Sequence, residues 1–160
     1  MKKLTYILLL ISFISFSQEK QIFKIGLDPK LAISGAYSYD KTPVLDATLT
    51  VLTQLENGNE WGINIEYANL KPTYYHYGFI FNKVITKGNT IETLLGVELL
   101  ALFRDFKAPK TQLWLTSGIN AECRFYVFRN SGIALRYNYK YRPEYKIFRT
   151  NGMIELFTTF

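Results

Sequence analysis

The 160-residue chain carries 19 Lys and Arg against 13 Asp and Glu, and it contains 12 Tyr and 12 Phe. So many aromatic residues exclude a disordered chain. One Cys and one His exclude a disulfide framework, a cysteine-based zinc cluster and a multi-histidine metal site, and no cofactor is expected. A mean hydropathy of −0.01 fits a soluble protein, but it also fits a membrane β-barrel, in which lipid-facing and lumen-facing residues alternate.

The first 18 residues have the layout of a secretory signal peptide. Lys2 and Lys3 give a positive start, residues 4–16 are apolar, and small residues precede Glu19. The apolar run is too short for a membrane-spanning helix, and the absence of a Cys after it excludes a lipoprotein anchor. We therefore expect export beyond the inner membrane. We expect residues 1–18 to be a signal peptide, 19–30 a short periplasmic lead-in segment, and 31–160 the folded domain.

Alternation of apolar and polar residues predicts eight strands in the rest of the chain. They are residues 31–39, 45–56, 60–69, 74–85, 90–104, 113–128, 133–142 and 150–160. In the six middle strands the odd positions hold one charged residue, Lys83, whereas the even positions hold twelve. In the last strand the apolar residues move to even positions. Because a one-residue slip would exchange the two faces, this separation fixes the register.

The connections alternate between two kinds, which predicts an up-and-down barrel. Three are tight turns rich in Gly and Asn, at residues 57–59, 87–89 and 130–132. The others each hold one proline, namely Pro43, Pro72, Pro109 and Pro143. In an outer-membrane barrel the tight turns are periplasmic and the longer loops extracellular. The predicted fold class is therefore all-β, an eight-stranded antiparallel up-and-down transmembrane β-barrel.

The direction of the apolar face distinguishes a membrane barrel from a soluble one. A soluble periplasmic lipocalin-like barrel would turn this face inward and bind a small apolar ligand. Lys83 lies near a strand end, where its long stem can reach lipid headgroups, and the polar face mixes acids with bases. Aromatic residues on the apolar face cluster near the two strand ends, as in interfacial girdles: Trp61, Phe81, Phe125 and Phe160 at one, Tyr39, Tyr67, Tyr75, Phe103 and Tyr139 at the other. These features favour the membrane barrel.

The signal peptide, the loop alternation and the last strand together give the chain a resemblance to a known family. It resembles the small eight-stranded outer-membrane barrels, such as outer-membrane protein X and the transmembrane domain of OmpA. Members typically end in Phe with apolar residues at alternate positions before it; Ile154, Leu156 and Phe160 match, whereas Thr158 departs from the pattern. The resemblance implies that the barrel-insertion machinery recognises this strand during biogenesis. The Ser-Gln-Glu processing region resembles that of secreted proteins of Bacteroidota.

The even-numbered face predicts a network of charges inside the barrel, with Glu122 and Arg136 near its centre because both lie mid-strand. Eight strands enclose a space that side chains just fill, so a rigid, plugged lumen is expected. A narrow ion or proton path is the functional alternative. The charged residues expected to pair are Glu66, Glu92, Glu98, Glu122, Arg124, Arg136 and Lys140.

His76 is the one residue that suggests catalysis. Some outer-membrane barrels of this size modify lipid A with a His and a nearby Ser, and Glu66 on the neighbouring strand could orient His76. No Ser stands two residues after it, as the deacylase pattern requires. A lone His among aromatic residues is more often an interior residue, so an enzyme is not expected. Cys123 falls on the lipid face, where a thiol acts as a small apolar group.

The outer loops are the remaining place for a specific surface function. A cationic rim there would face outer-membrane lipid and the phosphates of lipopolysaccharide. We expect a monomeric, non-catalytic barrel with a structural or surface-interaction role and no nucleic-acid partner. An accessory component of an envelope transfer apparatus stays open as an alternative. The basic residues of the predicted rim are Lys41, Lys71, Arg104, Lys107, Lys110, Arg142, Lys146 and Arg149.

Overall fold

A computed structural model describes residues 20–35, 42–70, 73–105, 112–143 and 145–160. Asp105 and Gln112 are described by their backbone atoms alone. Within these ranges eight antiparallel strands form one closed barrel, each strand hydrogen-bonded to the next along the chain and β1 to β8. No helix in them is long and apolar enough to cross a membrane. The elements are β1 (Gln21–Leu27), α1 (Pro29–Ser34), β2 (Asp46–Gln54), β3 (Glu60–Ala68), β4 (Thr73–Lys87), β5 (Ile91–Asp105), β6 (Gln112–Phe128), β7 (Ser131–Arg142) and β8 (Ile147–Thr159).

The two ends of the barrel differ in their connections. At one, here called the tight-turn end, short hairpins join β2 to β3, β4 to β5 and β6 to β7, and the chain termini meet through a bond from Phe160 N to Gln21 O of 2.9 Å. Gly58 adopts φ 83° in the first of these turns, a value that glycine reaches without steric cost. The other four connections lie at the opposite end, here called the loop end.

The first strand lies ten residues earlier than predicted. Residues 21–27, which we expected to be part of a periplasmic lead-in, form β1 and pair with both β2 and β8. Of the segment predicted as the first strand, residues 31–34 belong to α1 instead, and residues 36–39 lie outside the described residues. The helix begins there because the Asp28 side chain accepts a hydrogen bond from Leu31 N at 3.0 Å and Pro29 occupies the first helical position.

The apolar face points outward and the charged face inward. In the central parts of β2, β3 and β7 the odd positions are exposed and the even positions buried, as the alternation predicts. In β8 the faces exchange, because Leu135 of β7 lies opposite Ile154, so even positions are outward there. The alternative of a lipocalin-like barrel, whose apolar face would line the interior, is therefore wrong. The outer band contains the exposed residues Ile25, Leu49, Ile63, Phe79, Val97, Leu99, Ile119, Leu135, Ile154 and Leu156.

Glycines let neighbouring strands curve closely around the narrow barrel. A Cβ on Gly62 would lie 2.0 Å from the carbonyl oxygen of Val51, and one on Gly78 would lie 2.2 Å from that of Leu99. Both glycines face inward between buried neighbours. Their missing side chains also leave space in the lumen that longer charged side chains from other strands can enter.

Candidate functional site: the charged lumen

A dense cluster of ion pairs lies near the tight-turn end and centres on Arg124. Its NH1 and NH2 bind the two carboxylate oxygens of Glu60 at 2.5 and 2.7 Å, and its Nε binds Glu122 at 2.6 Å. Glu92 lies 3.3 Å from NH1 and also accepts from the Tyr126 hydroxyl at 3.1 Å. All four charged side chains are fully buried, so each charge depends on its partners rather than on water. These four residues, with Lys24, are called the tight-turn cluster.

Lys24 of β1 connects this cluster to the last strand. Its Nζ lies 2.5 Å from Glu122 and 3.2 Å from Glu155 of β8. The other oxygen of Glu155 lies 2.7 Å from NH2 of Arg136 on β7. A single carboxylate therefore links the first strand to the seventh, and the chain of charges continues toward the loop end.

A second group of charges occupies the half of the lumen nearer the loop end. Lys140 Nζ donates to Glu66 at 2.7 Å and lies 3.1 Å from Glu98. Arg136 lies 4.0 Å from Glu98 as well as close to Glu155. Glu66 also accepts from the buried Tyr74 hydroxyl at 2.7 Å. Glu66, Glu98, Arg136 and Lys140 are called the loop-end cluster.

Two arginines predicted for the outer rim lie inside the barrel instead. Arg104 and Arg142 are buried and stack on the ring of Tyr74, at 5.3 and 4.6 Å from its centroid. Arg104 also lies over the ring of Tyr145 at 5.0 Å. Both occupy even positions within β5 and β7, whose inward faces extend to the strand ends. The rim prediction was wrong for them because it treated strand ends as loops.

Of the remaining rim residues, Lys41, Lys71, Lys107 and Lys110 lie outside the described residues. Lys146 is exposed in the turn before β8, with φ 54°. Arg149 is half-buried on β8 and lines a cavity inside the loop end.

His76 is an interior residue. Its side chain is fully buried, with Nδ1 3.5 Å from Glu66 and Nε2 3.2 Å from NH1 of Arg142. Its ring lies 5.0 Å from that of Tyr74. This places the predicted pair of His76 and Glu66 together, but beneath the Tyr74 ring rather than at a surface that a lipid substrate could reach.

The residues predicted for the last strand lie on the outer face. Ile154, Leu156 and Phe160 are all exposed, and Cys123 on β6 is partly exposed on the same face. Tyr139 and Phe148 stack in parallel on the outside near the loop end, with ring centroids 4.9 Å apart. Tyr39, assigned to the girdle at this end, lies outside the described residues.

Sequence analysis missed three members of the network: Lys24, Glu60 and Glu155. Lys24 was missed because its strand was assigned to a lead-in segment, although the pattern Phe23, Ile25, Leu27 on the opposite face was a signal. Glu60 and Glu155 each stood on the polar face of a predicted strand, but neither was assigned a partner. Among the residues that the structure describes, no group of His, Cys, Asp and Glu could hold a metal ion.

A cavity of about 540 Å³ lies at the loop end, beside the loop-end cluster. Helix α1 and Gly35 line one side, and β7 and β8 line the other, including the outward-facing Leu135, Tyr137 and Ile154. The side chains of Arg136, Lys140, Arg142 and Arg149 reach it, together with Asp28 and Asp46.

Comparison with known proteins gives the fold and no further identity. No protein-family model matches the sequence, and no curated protein sequence is similar to it. The outer membrane protein Ail of Yersinia pestis, in a phospholipid bilayer nanodisc, superposes with a TM-score of 0.58 at 12% identity, over 89% of this chain and 99% of Ail. Neisserial surface protein A superposes with a TM-score of 0.55 at 11% identity, over 88% of this chain and 93% of that protein. The chain thus has the fold of these small outer-membrane barrels.

Proposed function

We propose that the protein is a small integral outer-membrane β-barrel with a plugged polar lumen and a structural or surface-interaction role without catalysis. The main observation behind this proposal is the separation of side chains between the two faces of the sheet. Large apolar side chains are exposed around the outside, and charged side chains are buried inside. In water such a surface would drive aggregation, whereas in a bilayer it is the favourable arrangement.

The plugged lumen is supported by the dense ion pairing around Arg124 in the tight-turn cluster. Arg124 has carboxylates against all three guanidinium nitrogens, and Glu92 is held by Tyr126 as well. An ion crossing this layer would have to displace buried ion pairs, each costly to leave unpaired. We therefore favour a rigid polar core over an ion path.

The proposed setting is the outer membrane, reached through the signal peptide, with the tight-turn end in the periplasm and the loop end outside. The barrel would be a monomer among outer-membrane lipid and lipopolysaccharide, inserted by the barrel-insertion machinery through the last strand. An enzymatic role has little support, because His76 is enclosed by Glu66, Tyr74 and Arg142.

Membrane fractionation with gel mobility before and after boiling tests the proposal. We expect the protein in the detergent-extracted outer-membrane fraction, with a band that shifts on heating because the closed barrel resists unfolding in unheated detergent. A soluble periplasmic band without a shift would contradict the membrane setting.

A charge placed in the outer band gives a second, sharper test. Leu99 is exposed in the middle of β5, so Leu99→Arg would put a cation at the centre of the bilayer. We expect a loss of about 2–4 kcal/mol in the free energy of unfolding in vesicles. Asn89→Arg, at an exposed position in the turn between β4 and β5, is the matched control and should change stability by about 0.5 kcal/mol or less. Equal effects of the two variants would mean that the band does not face lipid.

A further inference from the structure

The loop-end cavity has a predominantly basic lining. Five of its lining residues are basic: Lys30, Arg136, Lys140, Arg142 and Arg149, against the two acids Asp28 and Asp46. Both acids already have partners on the cavity wall. Asp28 caps α1 through Leu31 N, and Asp46 accepts from the Tyr74 hydroxyl at 3.2 Å. An anion inside the cavity would therefore meet an excess of donors.

Two of these cations lie directly opposite each other. Lys140 of β7 pairs in register with Arg149 of β8, and both lie on the inward face. Like charges at directly opposed positions destabilise a sheet unless something neutralises them. Lys140 has Glu66 and Glu98, whereas Arg149 has no ion pair within the described part of the chain. Among the residues that the structure describes, no acid forms an ion pair with Arg149 at the cavity wall.

Arg136 provides an independent sign of a ligand. It is buried and lines the cavity, and its Nε and Nη1 have no hydrogen-bond partner within the described residues. Its Nη2 lies 2.7 Å from Glu155 and its Nη1 lies 4.0 Å from Glu98, so these carboxylates balance its charge while two nitrogens stay without a hydrogen bond in the described part of the chain. Buried donors of this kind are rare in native proteins, and a guanidinium matches the oxygens of phosphate especially well.

The barrel wall beside this cavity is a seam rather than a continuous ladder. Pairing of β1 with β8 ends at Leu27 and Ile154, so residues 147–153 of β8 are paired with β7 only, as far as the described residues go. Helix α1 occupies the place where β1 would continue, and no backbone hydrogen bond between α1 and β8 is present in the described ranges. At Gly152, on the outer side of this seam, an added Cβ would meet open space.

We propose that the loop-end cavity binds a phosphate-class anion, and that the seam between α1 and β8 admits it sideways. Sideways entry rests on the proposed function, because it requires lipid around the barrel. An entrance that opens to lipid favours the phosphate headgroup of an anionic lipid over free phosphate as the ligand. Arg136 and Arg149 hold the anion, and the acyl chains lie against the apolar outer face beside Gly152.

Native mass spectrometry of the full mature protein in detergent tests the anion site. We expect one phosphatidic acid molecule to stay bound, and phosphatidylcholine with the same acyl chains to be lost. Arg149→Gln removes a cation that has no ion pair within the described ranges, and we expect it to weaken phosphatidic acid binding about tenfold. Arg129→Gln, an exposed arginine at the tight-turn end, is the matched control and should leave binding unchanged. Equal losses in the two variants, or equal retention of both lipids, would overturn the proposal.

A second pair of variants tests the sideways entry and separates the two phosphate sources. Gly152→Trp fills the open space at the seam, whereas Leu115→Trp changes an outward position of β6 away from the cavity. We expect Gly152→Trp to abolish phosphatidic acid binding while inorganic phosphate, followed by ³¹P NMR, binds as in the unmodified protein, and Leu115→Trp to change neither. Binding of inorganic phosphate alone, with no lipid retained by any form, would support the anion site and overturn entry from the membrane.

Failure of this inference is distinguishable from failure of the proposed function. A heat-shifted outer-membrane band together with no binding of phosphatidic acid or phosphate would overturn the anion site only. Each variant is compared after its own heat shift has been verified, and the combined Arg149→Gln and Gly152→Trp protein should lose both ligands while keeping the shift.

Discussion

The two halves of the lumen contain similar residue types but differ in how completely they are satisfied. Near the tight-turn end, Arg124 is surrounded by three carboxylates, and the cavity lined by Glu92 and Tyr126 measures about 180 Å³. Near the loop end, Nε and Nη1 of Arg136 have no hydrogen-bond partner within the described residues, and a cavity of about 540 Å³ lies beside it. If the proposed anion site is correct, buried charge serves two purposes in this barrel: one half stabilises the fold, and the other provides donors for a ligand.

Arg124→Met should produce the largest change. It would leave Glu60, Glu92 and Glu122 without their shared cation in a buried layer, and we expect a loss of about 3–5 kcal/mol in the free energy of unfolding. The measurement is the unfolding midpoint in urea with the protein in vesicles. Arg129→Met, at an exposed position outside the lumen, should shift it by about 0.5 kcal/mol or less.

Glu66→Gln tests the half nearer the loop end and should cost less, about 1–3 kcal/mol. Lys140 keeps Glu98 at 3.1 Å, and the Tyr74 hydroxyl keeps Asp46 at 3.2 Å. The same urea titration measures it. A loss as large as that of Arg124→Met would remove the contrast between the two halves.

Arg104→Met should have a smaller effect, about 1 kcal/mol. The substitution keeps the length of the side chain but removes the guanidinium that lies between the rings of Tyr74 and Tyr145. Thermal unfolding in detergent is the measurement, with Leu115→Met on the exposed outer face as the control. An unchanged midpoint would show that these ring contacts contribute nothing to the closure of the loop end.

His76→Gln should have no effect on lipid chemistry. The amide can keep contacts to Glu66 and Arg142, and the buried position offers a lipid substrate no access. Mass spectra of lipid A from cells that express the variant and the unmodified protein should be identical. A modification present only with the unmodified protein would restore the catalytic alternative.

Most of the fold was predictable because the alternation of β2 to β7 is nearly free of conflict. Placing a charge such as Glu98 or Arg136 on the lipid-facing side would cost more free energy than strand propensity contributes. The positions of the charges therefore determine the register. The exchange of faces in the last strand was predictable for the same reason, from Ile154 and Leu156.

The first strand was wrong because two alternating segments competed and the shorter one formed the strand. Residues 31–39 alternate as well as 21–27 do, but Asp28 and Pro29 are helix-start signals that outweigh the alternation. Lys24 is the residue in the sequence that indicates this strand, because an inward-facing cation in β1 is stabilised by ion pairs with Glu122 and Glu155.

The geometry of the site was harder to predict than its composition. Parity places Arg104 and Arg142 inward, but only their distances to the Tyr74 ring show that they belong to the lumen rather than to the rim. The cavity and the seam depend on where β1 stops and on how α1 turns, which are properties of the assembled wall and not of any one segment.

Lys24 also has a consequence for the order of assembly. Its partners Glu122 and Glu155 belong to strands made near the end of synthesis, and the contact with Glu122 spans 98 positions of sequence. In a sheet of β2 to β8 without β1, Glu122 and Glu155 would lack the positive charge of Lys24. The excess negative charge would remain inside the sheet until the first strand paired. Joining the two edges therefore brings Lys24 to both acids in the same step as it completes the backbone ladder.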